Sequence, residues 1–110
     1  MCTSRVLVRP EHAQQAGLVH AGLTTTIADH TAGAAAGSLM GPDEQVVSVE
    51  FVVHLLRPAT GIALTCRAEV VKPGRMLTVV QADVYTGANG DAPAPTHVAR
   101  MLATMAYIAT

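Results

Sequence analysis

Polar and apolar positions along the chain switch between two periods, and the switch divides it into one helix and several strands. Residues 5–9 (RVLVR) are β-branched enough to suggest a short strand ended by Pro10, followed by the polar stretch EHAQQAG. From 20 to 39, Leu23, Ile27 and Ala34 recur at helical spacing in a run of Ala, Gly and Thr, which predicts one long helix that Gly33 and Gly37 interrupt without ending. Its Ala and Gly residues let another backbone come close, so the helix is expected to be wrapped by other structure. Gly41 to Glu44 (GPDE) stops it. At least two of Thr24, Thr25 and Thr26 are expected to face the core.

Downstream the pattern is that of strands. Residues 46–56 alternate, with Val47, Val49, Phe51 and Val53 on one face and Ser48, Glu50, Val52 and His54 on the other. Pro58 and Gly61 mark a turn. Residues 62–71 and 75–85 form two further runs joined by KPGR, where Pro73-Gly74 fits type II chemistry. TGANGDAPAP is a Gly/Pro-rich loop, and 97–109 fits helix or strand by pattern, with context favouring strand. A helix of small residues followed by four antiparallel strands predicts an α+β fold, a curved antiparallel sheet wrapped around a long central helix, in a single domain spanning 1–110.

Composition narrows the function classes. Half the residues are hydrophobic and 14% are charged, so some apolar surface is expected to lie between subunits. A net charge of −1 with scattered Arg and Lys leaves no footprint for nucleic acid or an anionic membrane. No run approaches the roughly 20 apolar residues of a membrane span. Cys2 and Cys66 have no metal-like spacing and read as free thiols of a reducing cytoplasm, Cys66 as a small buried hydrophobe. No histidine pair with a carboxylate follows metal-ligand logic, so no metal is expected.

One residue stands apart. Asp29 is the only formally charged side chain between Glu11 and Asp43. A carboxylate among Ala, Gly, Thr and Ile must reach water or be held by hydrogen bonds, because burying a lone charge costs several kcal/mol or shifts its pKa. It is the first candidate for chemistry; the alternative is a structural Asp bonded within its own helix.

His20-Ala21-Gly22, followed by Ile27-Ala28-Asp29, resembles the signature of the PaaI-type acyl-CoA thioesterases of the hotdog-fold superfamily. Val49 to Ala59 (VEFVVHLLRPA) is similar to the family's strand ending in Leu-x-Pro-Ala. Lys72-Pro73-Gly74-Arg75-Met76-Leu77 is similar to its Lys-x-Gly-Arg-x-Leu. The chain departs from the family at Gln14, where relatives carry Asn, and at Ala21, where they carry Gly; the methyl of Ala21 could crowd a thioester that glycine admits.

The resemblance implies a thioester hydrolase acting on an acyl-CoA, with coenzyme A as part of the substrate and no separate cofactor. It implies a homodimer, or a dimer of dimers, whose active sites are shared. Asp29 lies about 12 Å along its helix from the start, at 1.5 Å per residue, too far to act at its own N-terminus. The implied dimer sets it against the helix N-terminus and Gln14 loop of the neighbouring subunit. There Asp29 acts as general base on water or attacks the carbonyl itself. The amides at Ala21 and Gly22 receive the oxyanion, and Gln14 polarises the carbonyl or positions water.

His20, Arg57, Lys72 and Arg75 are the candidate substrate-binding residues, the last two for the phosphates of coenzyme A. Each also has a bland reading: His20 as a partner of nearby backbone, Arg57 in a surface salt bridge, Lys72 and Arg75 at a solvated hairpin tip, Gln14 in water. Few aromatic residues hint at an aliphatic or small acyl group. Two rivals remain open at this point: a hotdog dehydratase or hydratase, for which His30 would have to serve beside Asp29, and a non-catalytic acyl-thioester binder.

Overall fold

The computed structural model describes residues 1–7, 21–59, 63–87 and 96–110. Along the chain these form β1 (Cys2–Leu7), α1 (Ala21–Gly37), β2 (Glu44–Leu55), β3 (Ala63–Lys72), β4 (Leu77–Gly87) and β5 (Thr96–Ala109). The strands make one antiparallel sheet in the order β1-β3-β4-β5-β2. The sheet is curved and α1 packs on one face of it, the hotdog arrangement expected from the sequence.

Small side chains bring helix and sheet together. Ala28, Ala32, Ala35 and Ala36 are buried on α1, and they share one core with Ala68, Ala82, Ala99 and Ala103 of the sheet. Leu64, Val80, Val84, Met101 and Met105 fill the space between. With alanine on both sides the backbones approach closely, so an added methylene has nowhere to go. Polar ties mark both ends of this contact. Thr31 donates to the Ile27 carbonyl and shares a hydroxyl hydrogen bond with Ser4 of β1. Tyr107 of β5 donates to the Ala36 carbonyl at 2.8 Å and meets the Thr78 hydroxyl at 2.9 Å. Cys66 sits in the core, where burial pushes its thiol up to about 11 against the opposing hydrogen bond to Thr31. It is therefore a neutral packing group at physiological pH.

Several expectations are corrected. β2 is adjacent in sequence to β3 but pairs with β5, so the connection that leaves β2 through Pro58 leads past two strands; Gly61 of the expected turn lies outside the described residues. β5 is a strand throughout, as context favoured. α1 ends at Gly37, earlier than 39. Of the three threonines, Thr24 alone is fully buried; Thr25 is half-buried and Thr26 is exposed, its hydroxyl turned back to the Gly22 carbonyl. β1 starts at Cys2 and alternates cleanly, with Cys2, Ser4 and Val6 turned inward; residues 8 and 9 of the expected strand lie outside the described residues. Gly74 is required by space, because a Cβ there would lie 2.1 Å from the Leu77 carbonyl oxygen.

The most consequential correction concerns β2. Its register against β5 shifts between Ser48 and Glu50, leaving Val49 as a bulge. Val46 and Ser48 face α1 before the bulge; Phe51, Val53 and Leu55 share rungs with the inward Ala103, Met101 and Ala99 after it. The expected face of Val47, Val49, Phe51 and Val53 is thus broken in the middle. Ser48 joins the inner side because one extra residue inverts the alternation.

On the outer face, Asp83 accepts from Arg100 Nε at 2.7 Å, from Gln81 at 3.1 Å, and pairs with His97 Nε2 at 2.8 Å. Partial burial alone would raise its carboxyl, but the hydrogen bonds from Arg100 and Gln81, the Arg100 charge and the His97 bond outweigh this and hold it below 3.8.

Two predictions follow from this packing. Ala32→Leu should destabilise the fold by about 1–3 kcal/mol, each kcal/mol lowering Tm by roughly 4–8 °C, whereas Gly33→Ala should raise Tm slightly. A Cβ on Gly33 meets nothing within 4 Å. Thermal unfolding of both variants checks the pair. For Asp83, a depressed folded-state pKa contributes stability that is present above 3.8 and lost as pH falls through the lower folded value. Asp83→Asn should therefore be less stable than the parent at pH 7, and denaturant melts should show the gap closing only as pH falls below 3.8.

Candidate active site

Asp29 lies at the middle of α1, on the flank that looks toward β2. Its half-buried carboxylate accepts a hydrogen bond from Ser48 Oγ at 2.7 Å through Oδ1. Ser48 also lies 3.4 Å from the Met105 sulfur, its rung partner on β5. Among the described residues that hydrogen bond is to Oδ1 alone, so one carboxylate oxygen is anchored by a side chain. Sequence pattern put Ser48 on the same face as Glu50, Val52 and His54; the bulge at Val49 separates it from them and turns it inward. The signal that could have found it is a lone serine in a strand of valines.

The helix start is the second component. Ala21 is its first residue, half-buried, and Gly22 is exposed. The first turn carries no acidic side chain, so the positive end of the helix dipole is not neutralised from within the helix. Asp29 lies eight residues further on, about 12 Å along the axis, as the sequence required.

β2 is an edge strand of twelve residues with a neighbour on one side only among the described residues. Val47, Val49, Phe51, Val52, Leu55 and Leu56 are all exposed along it. Phe51 is 41% exposed although its rung partner Ala103 is fully buried. Asp29 thus lies on the helix flank toward the apolar edge strand β2.

Not all the candidates converge. Gln14 and His20 lie outside the described residues. Arg57 is exposed and donates from Nη1 to the His97 carbonyl at 2.9 Å, so its partner is backbone and not the carboxylate of a surface salt bridge. Lys72 and Arg75 are exposed at the β3–β4 hairpin. That hairpin is tied through Met76 to Tyr107, which reaches the Ala36 carbonyl, so it sits at the C-terminal end of α1. It is the end opposite Ala21. His30 is exposed and does not bond Asp29; among the described residues the imidazole that meets a carboxylate is His97, on the outer face. No three His, Cys, Asp or Glu side chains are grouped for a metal among the described residues. No described helix is long and apolar enough to cross a membrane.

Comparisons with known proteins agree with this architecture. The thioesterase superfamily model matches residues 16–92. A thioesterase family protein from Silicibacter pomeroyi is 39% identical, with 98% of this chain and 77% of that one aligned at a TM-score of 0.91. A Bacillus halodurans protein whose crystal structure contains CoA is 24% identical over 96% of this chain and 66% of its own, with a TM-score of 0.86. A phenylacetic acid degradation-related protein from Ralstonia eutropha is 19% identical over 94% and 74%, at 0.82, and shares the fold. No curated protein matches the sequence at a significant level. With the family model spanning most of the chain and a relative near two-fifths identity covering nearly all of it, the protein belongs to the thioesterase superfamily of hotdog proteins.

Proposed function

We propose that this protein hydrolyses an acyl thioester of coenzyme A to the free acid and the thiol, in a homodimer whose two sites are each built from both chains. The observation that carries the reading is the Asp29–Ser48 pair, a carboxylate with one oxygen anchored and one free at the open edge of the protomer. The Bacillus halodurans relative bound to CoA supports a ligand of that class.

Edge-to-edge pairing of β2 with its copy would cover the apolar strand and its unpaired backbone groups. It would also carry the Asp29 flank of one helix toward the start of the other. There the amides of Ala21 and Gly22 receive the charge that develops on the carbonyl oxygen, with the helix dipole behind them. Asp29 Oδ2 removes a proton from the attacking water as the C–O bond forms, and the thiolate of coenzyme A leaves when the tetrahedral intermediate collapses. Ser48 fixes the carboxylate's rotamer and is a positioning residue. Lys72 and Arg75, at the far end of α1 in their own protomer, are in reach of the phosphates only if the two-fold brings the partner's hairpin to the site. The dehydratase alternative lacks its histidine, since His30 is turned away from Asp29. A cytoplasmic location and the absence of any further cofactor belong to the same proposal.

Release of free thiol from a panel of acyl-CoA esters should be seen with the parent, and Asp29→Asn should lower kcat about 100- to 10,000-fold. Equal rates in the two proteins would overturn the assignment. Ser48→Ala should lower kcat about tenfold with KM little changed, because it loosens the carboxylate without touching the leaving group. For the shared site, chains carrying Asp29→Asn and chains carrying Gly22→Val should each be inactive and regain activity when unfolded and refolded together. Two inactive variants that stay inactive as verified mixed dimers would place each site within a single chain.

A further inference from the structure

The inner face of the sheet carries two separate polar networks, and one side chain stands between them. A single rung runs from Ser48 of β2 through Met105 of β5 to Thr78 of β4. Ser48 gives its one hydroxyl hydrogen to Asp29 Oδ1 at 2.7 Å. Thr78 meets the Tyr107 hydroxyl at 2.9 Å, and because Tyr107 donates to the Ala36 carbonyl, the hydrogen between them comes from Thr78. Both hydroxyls of the rung thus have their hydrogens committed, one on each side of Met105. The Met105 side chain is fully buried, with its sulfur 3.4 Å from Ser48 Oγ.

A serine side chain has three staggered positions and one hydrogen to give, so its direction is set by what surrounds it. Ser48 is exposed on the edge strand, where water competes for that hydrogen. Thioether sulfur is a weak acceptor, whereas a hydrogen bond to a carboxylate is charge-assisted and about twice as strong as a neutral one. Met105 therefore does not draw the hydrogen away from Asp29, and its bulk fills the side of Ser48 that faces the core. Ser48 and Thr78 are two strands apart, about 10 Å at roughly 4.8 Å per strand. Truncating Met105 would leave a space between two hydroxyls, and water in it would offer Ser48 a second partner.

The geometry points to Met105 as a positioning residue of the Asp29 site. It acts through Ser48, keeping that hydroxyl on the carboxylate and closing its core side to water. For its effect on rate the proposal rests on the thioester-hydrolase reading, whereas the direction of Ser48 tests it without turnover. Packing alone would lower the rate whether or not Ser48 is present; positioning does so only where Ser48 has its hydroxyl.

The test uses one acyl-CoA ester with the parent, Met105→Leu, Met105→Ala, Ser48→Ala and the double variant Ser48→Ala/Met105→Ala. Met105→Leu nearly keeps the volume and should stay within about twofold of the parent kcat. Met105→Ala should lose about tenfold in kcat with KM little changed, as Ser48→Ala does, and the double variant should lose no more than Ser48→Ala alone. Additive losses, about a hundredfold in the double variant, would overturn the proposal, and so would a parental kcat in folded Met105→Ala. Should the Ala variant not fold, Met105→Val takes its place in the same cycle, with a smaller loss expected because the space it opens is smaller. Crystal structures of the parent and the folded truncation variant read the contact directly. Ser48 turned from Asp29 to a water beside position 105 supports the role, and Ser48 still bonded to Asp29 sinks it. If the parent hydrolyses no thioester, the hydrolase reading fails on its own and the two structures still decide the role of Met105.

Discussion

The close approach of α1 to the sheet, alanine against alanine, is the constraint on which the rest of the molecule depends. Ala28, Ala32, Ala35 and Ala36 leave no side chain to hold the helix away from Ala68, Ala82, Ala99 and Ala103. The height and rotation of α1 are fixed by that contact, because larger residues would lift it and polar ones would demand partners. Once the buried stripe is set, Asp29 has one place to go: the flank beside β2, at hydrogen-bond distance from Ser48. Thr31, two residues on, falls on the opposite flank and bonds Ser4 of β1. Helical geometry turns one packing decision into two polar contacts on opposite sides.

The sheet's half of the site depends on a single extra residue. Without the bulge at Val49, the alternation that turns Phe51 and Val53 inward would send Ser48 out to solvent. Asp29 would then face a β2 with no donor. The same bulge lets β2 follow the curvature of the sheet while remaining its edge, with Val47 and Val52 outward and Phe51 and Leu55 inward, all of them exposed. Burial within one chain therefore stops short at β2, which is the side on which the Asp29 carboxylate is held by Ser48.

Much of this was legible in the sequence, and the limits have physical causes. The helix could be read because Leu23, Ile27 and Ala34 recur at helical spacing in an Ala-rich run, and Asp29 because a lone charge in that run needs a reason. Strands β3, β4 and β5 could be read from β-branched alternation and from the Gly74 turn, where only glycine fits. Pairing of β2 with β5 could not, because alternation says which face is buried but not which strand is adjacent. Ser48 could not, because a bulge leaves the sequence of a strand looking regular and changes only its phase. Nor could the Asp83–His97–Arg100 cluster, whose members lie up to 17 residues apart and meet only through the β4–β5 register.

The two faces of the sheet divide their work by the same register. Inward positions of β4 are Thr78, Val80, Ala82 and Val84, packed under the helix; the outward ones between them are Val79, Gln81, Asp83 and Tyr85. Each strand thus contributes to the core and to the outer surface in alternate residues, and a substitution on one side leaves the other almost undisturbed. Arg67 illustrates the point, since its strand neighbours Cys66 and Ala68 are fully buried while it stands in solvent opposite Asp83. Charge on the outer face can therefore vary without cost to the packing that holds Asp29 beside Ser48 on the inner one.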